Sequence, residues 1–357
     1  MTIGSRAAKA STLYFFIHLM NEVVCYFMLY RIFKDPVFIT MVALIYNCVA
    51  FVPQIFWGSL RDLIEKFKPG IISIPLLLSG FLLFFMTGSE GPLFWISLVL
   101  LSTGNALIHV AGAELTIRTA NGKLTPVAVF VSGGSFGVIL GQVLAATDIS
   151  FWWIALVCAL MLPLVILGET LYKGNPRESD ECEGFNFILK KRKIFIVILA
   201  AFFIVTIRTY IGFEIPLGWK TTLFQSVLLY VFMGLGKALG GVLSDLIGIR
   251  KTAVISIIGA LPFLILGNKI MIVSLIGIMF FSMTAAVTLG MVISVMKIAP
   301  GAAFGVTTVA IFFGTLAVFF VRSESLIFNI SMIVITSAIC FLLAMYILKP
   351  DKEVCEK

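Results

Sequence analysis

The sequence predicts an all-α integral membrane protein whose twelve transmembrane helices form two pseudo-symmetric six-helix bundles. Composition is the first observation behind this prediction: 60% of the 357 residues are hydrophobic, 12% are charged, and the mean hydropathy is +1.10. Soluble domains contain about 45–50% apolar and about 25% charged residues. The second observation is the number of long apolar runs, and the third is a motif that occurs once in each half of the chain.

Twelve apolar runs are candidate membrane spans, because a spanning helix needs about 20 mostly apolar residues. The polar stretch Glu169–Lys193 separates six runs from the other six. We therefore divide the chain into an N-terminal six-helix bundle (1–168), a cytoplasmic linker (169–193) and a C-terminal six-helix bundle with a short cytoplasmic tail (194–357). The predicted spans are 11–30, 37–57, 70–87, 92–113, 125–146, 149–168, 194–213, 221–243, 252–267, 270–296, 302–320 and 326–348.

The charged residues indicate how the chain lies in the membrane. The net charge is +8, but Lys and Arg occupy short gaps between apolar runs and do not form the basic stripe that a nucleic-acid-binding face requires. Most of the Lys and Arg residues lie in segments predicted on the same side of the membrane as the N- and C-termini. Short loops rich in Lys and Arg stay in the cytoplasm. We expect a multi-pass protein of the cell membrane, with both termini cytoplasmic, that contacts lipid and no nucleic acid.

The sequence offers little for catalysis or metal binding. The six cysteines form no CxxC motif, and no Cys/His spacing typical of a metal site is present. A membrane-embedded transferase would be expected to show paired carboxylates or a Ser/His or Cys/His set near the interface, and the sequence has no Asp-rich motif of that kind. We therefore expect no disulfide, no metal, no cofactor and no enzymatic activity.

The repeated motif reads GSLRDLIEKFK at Gly58–Lys68 and GVLSDLIGIRK at Gly241–Lys251. Each copy follows the second apolar run of its half, so we place both in cytoplasmic connections between helices. Two halves repeated in the same orientation are a known plan of secondary transporters, in which the substrate site lies near the membrane midplane between the halves. The repeat therefore predicts a transporter built from two bundles.

Both copies resemble the loop signature G-x-x-x-D-R-x-G-R-[RK] of the major facilitator superfamily. The resemblance implies the major facilitator fold and a gating role, in which each Asp braces a closed face against a helix end of the other bundle. A carboxylate suits the positive N-terminus of a helix, and glycine lets helices approach closely. The alternative is that both Asp residues are solvated loop charges. The candidate gating residues are Gly58, Asp62, Gly241, Asp245 and Arg250.

The predicted fifth helix contains GGSFGVILGQ, in which Gly133, Gly137 and Gly141 share one face. Small residues four positions apart favour close helix packing. The string also resembles the antiporter signature G-x-x-x-G-P-x-x-G-G of the same superfamily, although Val138 and Gln142 replace its proline and last glycine. The glycines are therefore candidate packing residues, with antiport as the additional implication of the resemblance.

Two further strings, HLMNE at His18–Glu22 and GNALIHVAGAE at Gly104–Glu114, resemble the fosmidomycin-resistance branch of the superfamily. That branch has a His-x-x-Asn-Asp element in its first helix and a Phe-His-Pro element in its fourth. Here Glu22 stands in place of the Asp, and His109 lacks the flanking Phe and Pro. The resemblance implies export of a small amphiphilic or anionic antibiotic-like compound, and hence drug resistance.

Polar residues in the first span are candidate site residues, because such side chains are costly in lipid and usually face a cavity or each other. His18, Asn21 and Glu22 share one helix face, and Glu22 is close to the membrane midplane. We expect Glu22, assisted by His18, to carry a coupling proton, since burial favours a neutral carboxyl and imidazole titrates near neutral pH. Asn21 is a candidate for substrate contact. The alternative is a buried pair that only holds helices together.

Other polar residues have weaker assignments. Asn105 is a candidate substrate-binding residue, and His109, near the inner mouth, either joins the proton path or extends to the interface. Gln142 is a candidate cavity-lining residue. We expect Arg208 to bind an anionic group of the substrate, with a salt-bridged outer gate as the alternative. Lys237 is expected to pair with the Asp of the second motif or to extend to the membrane surface.

These features predict a secondary active transporter that exports a drug or metabolite by alternating access and proton antiport, and that works as a monomer. A proton-linked importer of a small metabolite is the main alternative, because these motifs do not encode direction. A membrane receptor without transport activity is a further alternative.

Overall fold

The computed structural model describes residues 3–32, 36–171, 184–189 and 192–350. Nearly all of them are helical, because a backbone in lipid must satisfy its hydrogen bonds internally. The α-helices of these ranges are α1 (Ile3–Arg31), α2 (Pro36–Phe51), α3 (Gln54–Leu63), α4 (Pro69–Thr87), α5 (Gly91–Thr119), α6 (Thr125–Ala145), α7 (Phe151–Leu171), α8 (Ile194–Glu214), α9 (Leu223–Ile247), α10 (Ile249–Val254), α11 (Leu261–Leu266), α12 (Met271–Ser282), α13 (Thr284–Val295), α14 (Pro300–Phe320) and α15 (Leu326–Ile347).

Twelve helical spans in the described ranges are long and apolar enough to cross a membrane, which confirms the predicted fold class. Three of these spans are interrupted. The second consists of α2 and α3, which meet at Pro53, and the tenth consists of α12 and α13. The ninth contains a π-helical turn, Ile255–Gly259, between α10 and α11. Proline lacks a backbone N–H, so Pro53 accounts for the break between α2 and α3. Pro262, in the first turn of α11, accounts for the π-helical turn before it.

Each copy of the repeated motif begins on a helix, with Gly58–Leu63 on α3 and Gly241–Ile247 on α9, which corrects its predicted position in loops alone. Gly58 and Asp62 belong to the last turns of α3, and Gly241 and Asp245 to those of α9. Both helix ends pack against the other half of the molecule. Since tertiary packing supplies most helix stability in proteins, these turns stay helical where the apolar pattern of the sequence ends.

The glycines of α6 form a close seam with α1. A Cβ atom at Gly133, Gly137 or Gly141 would meet main-chain atoms of Phe15, Leu19 or Val23, respectively. These carbonyls belong to successive turns of α1. The seam therefore holds the backbones of α1 and α6 in contact along several turns, and it fixes the side chains of α1 that lie between them.

We expect Gly137→Ala to destabilise the N-terminal half. Its methyl group would meet Leu19 O and lie 2.7 Å from Glu22 Cβ, and overpacking of this kind costs about 1–3 kcal/mol. The measurement is the apparent Tm in detergent. Gly259→Ala is the control, because the nearest atom to its Cβ would be in the Ile255 side chain at 3.8 Å. Equal Tm values for both variants would contradict the proposed tightness of the seam.

The two halves meet along a few helices. In the N-terminal half α1 packs against α5, α6 and α7, and in the C-terminal half α8 packs against α13, α14 and α15. Contacts between the halves join α6 to α9 and α14 to α2, α3 and α5. The predicted division at 168 and 193 stays a prediction.

Most of the predicted linker lies outside the described residues. Its described portion packs onto the protein: Gly184 contacts Gly122 in the turn between α5 and α6. Phe185 is fully buried, and Phe187 O accepts a hydrogen bond from Lys349 N at 3.1 Å. This segment therefore connects the α5–α6 turn of one half with the end of α15 in the other.

Candidate functional site

Glu22 lies at the centre of a buried polar cluster between α1 and α5. Its Oε1 is 3.7 Å from His18 Nε2 and 3.5 Å from His109 Nε2. The same oxygen accepts hydrogen bonds from Asn21 Nδ2 at 3.2 Å and Asn105 Nδ2 at 3.1 Å. Each of these side chains belongs to a residue that is at most 7% exposed. We call these five residues the Glu22 cluster.

The position of His109 differs from the sequence prediction. The α5 helix continues to Thr119, beyond the predicted end at residue 113. His109 therefore lies at the depth of Glu22 and not near the inner mouth. Its ring centroid is 4.4 Å from that of His18, with the two planes at 76°. The structure thus joins both candidate proton-coupling histidines to the same carboxylate.

The candidate substrate-binding residues Asn21 and Asn105 are also part of this cluster. Besides Glu22, Asn105 Nδ2 contacts the hydroxyl of Tyr46 at 2.5 Å and Cys25 Sγ at 3.4 Å. The Oδ1 atoms of both asparagines have no hydrogen-bond partner among the described residues. In this conformation the two amides hold the Glu22 carboxylate, and each keeps an acceptor available.

Asp62 binds the N-terminus of a helix from the opposite half. Its Oδ1 accepts a hydrogen bond from Gly301 N at 3.1 Å, and its Oδ2 accepts one from Ala302 N at 2.9 Å. Both amides belong to the first turn of α14. Gly58 lies one turn earlier, against Gly301 and Ala302. Free amides and the helix dipole make this terminus a favourable place for a carboxylate.

Asp245 makes the equivalent contact in the other direction. Its Oδ1 accepts from Leu124 N at 2.8 Å, and its Oδ2 accepts from Thr125 N at 2.9 Å and Thr125 Oγ1 at 2.5 Å. These groups lie at the start of α6. Gly241 again lies one turn earlier, against Leu124 and Ala128. We call the side that carries Asp62, Asp245 and the starts of α6 and α14 the closed face.

A buried ionic network on the closed face was not predicted. Arg118 Nε is 2.7 Å from Glu114 Oε1, and its Nη2 is 3.3 Å from Asp62 Oδ1. Arg61 Nε lies 3.4 Å from Glu114 Oε2, and its Nη2 lies 3.7 Å from Glu169 Oε2. The spacing of Glu114 and Arg118, four residues apart on one helix, was the available signal. Arg118 and Glu114 belong to α5, and Glu169 belongs to α7. Through these ion pairs the network connects Asp62 to both helices.

Arg250, the candidate gating arginine of the second motif copy, makes its hydrogen bond within the C-terminal half. Arg250 Nη1 donates to Leu348 O at 3.0 Å, which connects the start of α10 to the end of α15. Asp245 is exposed, whereas Asp62 is 9% exposed. The two Asp contacts are thus similar in their partners and unequal in their surroundings.

Arg208 lies inside the C-terminal half, and its contacts differ from those predicted. Its Nη2 donates to Ser256 O at 2.8 Å and to Phe281 O at 3.1 Å. The guanidinium carbon is 3.5 Å from the centroid of the Phe281 ring. Both carbonyls lie where helices are irregular, in the π turn and at the end of α12. Its Nε and Nη1 have no hydrogen-bond partner among the described residues, so the contacts of Nη2 support a structural role and the anion clamp stays a prediction.

We expect Arg208→Lys to lower stability and to affect anionic and neutral substrates equally. An ammonium group loses the planar guanidinium that stacks on Phe281 while binding two carbonyls, and unsatisfied buried carbonyls cost about 1–3 kcal/mol each. The measurements are the apparent Tm in detergent and the transport of one compound of each class. Arg250→Lys, with one carbonyl partner, is the control. Selective loss of anionic substrates at unchanged Tm would support the anion clamp instead.

Gln142 and Lys237 lie where α6 and α9 meet. Gln142 is beside Tyr230 of α9. Gly234 and Gly241 contact Phe136 and Ala128 of α6, and helical spacing puts Lys237 on the same face of α9 as these glycines. Lys237 is also within electrostatic range of the Glu22 cluster. It therefore faces the N-terminal half, and the expected pairing with Asp245 is wrong because that carboxylate binds the start of α6.

A pocket between α1 and α2 adjoins the Glu22 cluster. Its volume is about 140 Å³. One of its lining residues is Tyr46, whose hydroxyl also contacts Asn105. The pocket is otherwise mostly apolar and is lined by Tyr26, Leu29, Tyr30, Ile32, Ile39, Val42, Ala43, Tyr46 and Asn47.

No protein-family model and no curated protein matches the chain. Solved structures do match over almost the full length. FucP, a major facilitator superfamily transporter in the outward conformation, has a TM-score of 0.68 at 15% identity, covering 95% of this chain and 98% of FucP. This chain has the major facilitator fold. The human organic anion transporter MFSD10 (TETRAN) shares the fold with a TM-score of 0.65 at 14% identity, covering 95% and 99% of the two chains.

A single-substitution variant of the E. coli fucose:proton symporter FucP has the same relationship, with a TM-score of 0.67 at 14% identity over 97% of this chain and 99% of that one. The major facilitator fold and twelve apolar spans make this chain a multi-pass membrane protein. The fold also explains why the Asp contacts come in a pair: its two halves repeat each other in parallel orientation.

Proposed function

We propose that the protein is a secondary active transporter that moves a small molecule by alternating access. The observation that carries this proposal is the pair of contacts on the closed face, where Asp62 binds the start of α14 and Asp245 binds the start of α6. Each contact joins the two halves through a few hydrogen bonds at a helix terminus. Contacts of this kind break and re-form as rigid units when two bundles rock, which is the motion that alternating access requires.

We further propose that transport is export by proton antiport, with Glu22 as the coupling residue. The support is the convergence of one carboxylate and two imidazoles in a buried position, since ionisable residues inside membranes mark proton and substrate paths. The resemblance to the fosmidomycin-resistance branch indicates a small amphiphilic or anionic antibiotic-like substrate. The positive loops favour the closed face and both termini on the cytoplasmic side of the cell membrane. The working unit in this proposal is a monomer.

A proton-linked importer is the second candidate. One protein with the same fold is a fucose:proton symporter, and a proton site of the kind formed by Glu22 serves symport as well as antiport. Direction follows from whether proton and substrate bind together or exclude each other, and not from the position of the carboxylate.

The test of transport is a compound panel in a host that lacks its own exporters, with and without this protein. Export predicts protection against at least one compound, whereas import predicts sensitisation. Counterflow in vesicles that contain the purified protein then separates transport from binding alone. A receptor without transport activity would bind the compound and show no counterflow, which would overturn the proposal.

A further inference from the structure

The Glu22 cluster contains three atoms of the kinds that bind metal ions in proteins. They are His18 Nε2, Glu22 Oε1 and His109 Nε2, and these atoms all lie within 4.8 Å of one another. The two nitrogens lie 3.7 and 3.5 Å from the carboxylate oxygen. Ligands of a tetrahedral Zn²⁺ ion are separated by about 3.4 Å, as follows from bond lengths of about 2.0–2.2 Å. Small side-chain adjustments would therefore place all three at bonding distance from one ion.

Main-chain carbonyls orient both imidazoles for metal binding. His18 Nδ1 is 3.0 Å from Phe130 O, and His109 Nδ1 is 2.9 Å from Asn105 O. A carbonyl oxygen only accepts, so Nδ1 carries the hydrogen in both rings. In the neutral imidazole, Nε2 then presents its lone pair toward Glu22. Histidines that bind metals typically donate their other ring N–H in this way, which fixes the tautomer and the ring orientation.

The cluster also supplies acceptors beyond these three atoms. The Oδ1 atoms of Asn21 and Asn105 are buried and have no partner among the described residues. Both amides already touch Glu22, so an amide oxygen or a water molecule could complete the coordination. The set of imidazole and oxygen ligands suits Zn²⁺, Co²⁺ or Ni²⁺, whereas Mg²⁺ and Ca²⁺ prefer sites made of oxygen alone.

The distribution of histidine in the chain supports the same conclusion. The protein has two histidines among 357 residues, and both point their Nε2 atoms at one carboxylate. Three lone pairs directed at each other repel unless a cation lies between them. A proton on one imidazole relieves the two contacts of that ring and leaves the other imidazole facing the carboxylate, whereas a divalent ion relieves all three.

We propose that His18, Glu22 and His109 form a binding site for a divalent first-row transition metal ion. The site draws its ligands from α1 and α5 alone, so it lies within the N-terminal half. Lys237 approaches it from α9 and is within electrostatic range of Glu22 and His109. Its positive charge opposes the ion, so removal of that charge strengthens binding. The inference concerns binding only and is independent of the direction and coupling of the proposed transport.

The test is Co²⁺ binding to the full-length protein in detergent, purified with a tag that contains no histidine. We expect one Co²⁺ per chain, with the visible d–d bands of a tetrahedral or five-coordinate ion, and displacement by Zn²⁺. His18→Gln and His109→Gln should abolish the bands, and Glu22→Gln should weaken binding at least about tenfold. Glu214→Gln, another buried glutamate of a span, should bind as the wild type does. Lys237→Met should bind roughly tenfold more tightly.

A second measurement uses the wild-type protein, so its result does not depend on whether the variants fold. Since the chain has two histidines, ¹⁵N-histidine labelling gives signals from these residues alone, and saturating Zn²⁺ should shift the Nε2 resonances of both. Unchanged histidine resonances, no saturable Co²⁺ binding up to about 100 µM, or bands that persist in both histidine variants would overturn the proposal.

Discussion

Glu22→Gln is expected to abolish substrate accumulation driven by a pH gradient while leaving downhill exchange largely intact. Glutamine keeps the size of the side chain and its hydrogen bonding but cannot exchange a proton. One proton moved down a gradient of one pH unit supplies about 1.4 kcal/mol, which sustains roughly tenfold accumulation. We therefore expect the wild type to concentrate substrate up to about tenfold per pH unit for one proton per substrate, and the variant to reach equal concentrations on both sides.

The structure explains why the variant should fold. The two Nε2 atoms that face Glu22 belong to rings whose Nδ1 hydrogens go to Phe130 O and Asn105 O. The side-chain amide of the introduced glutamine could donate to one of these nitrogens, so the substitution replaces one polar contact by another. The amides of Asn21 and Asn105 keep an oxygen acceptor on the new side chain.

The measurement uses purified protein in vesicles with an imposed pH step, and follows substrate and internal pH together. Glu214→Gln is the matched control, because Glu214 is also buried but lies on α8, in the other half. Coupled uphill transport in the Glu22 variant would assign the coupling proton to another group. His109 and Glu114 are then the next positions to test.

The fold could be predicted from the sequence because each membrane span is indicated by its own run of apolar residues. Apolar runs of the required length predicted all twelve spans, and the chain agrees with that prediction in each of them. Errors concentrate at the ends of helices. The predicted end of the fourth span at residue 113 misses the last turns of α5 up to Thr119, since Glu114 and Arg118 look like loop charges in sequence. In the structure they pair with each other and stay buried.

The site was only partly accessible for the same reason. His18, Asn21 and Glu22 could be grouped by helical spacing, because residues three and four apart share a face. His109 and Asn105 come from a distant helix, and their meeting with Glu22 depends on the register between α1 and α5. That register is set by the packing of α1 against α5, which neither helix encodes alone. The carbonyl partners of Arg208 could not be predicted, because they arise from helix irregularities elsewhere in the chain.

The repeated motif lies partly on helices and not only in loops, but the contact predicted for its two Asp residues is present. Duplication placed Asp62 and Asp245 at equivalent positions, and a carboxylate at such a position was expected to meet a helix end of the other bundle. The structure shows this contact for both residues. The consequences of breaking the two contacts should differ, because Asp62 is buried in an ionic network and Asp245 is exposed.

Asp62→Asn is expected to open the closed face much more than Asp245→Asn does. An amide at position 62 keeps one acceptor, but its NH₂ group faces either the main-chain N–H groups of α14 or the Arg118 guanidinium. Loss of one partner from a buried ionic contact costs about 3–5 kcal/mol, which corresponds to an increase of roughly a hundredfold or more in the open population. At Asp245, water can replace the lost interactions. We therefore expect Asp245→Asn to cost about 1 kcal/mol and to raise the open population severalfold.

The measurement is thiol labelling of Thr308→Cys in a protein whose six native cysteines have been replaced. Thr308 lies on α14 and donates to Phe51 O of the opposite half at 3.1 Å, so a water-soluble maleimide reaches it only when the halves separate. Labelling should accelerate in the order wild type, Asp245→Asn, Asp62→Asn, while substrate affinity changes little. If Asp62→Asn instead lost affinity at an unchanged labelling rate, the carboxylate would act on substrate binding. The ionic network around Arg118 would then stabilise the fold without controlling which face is open.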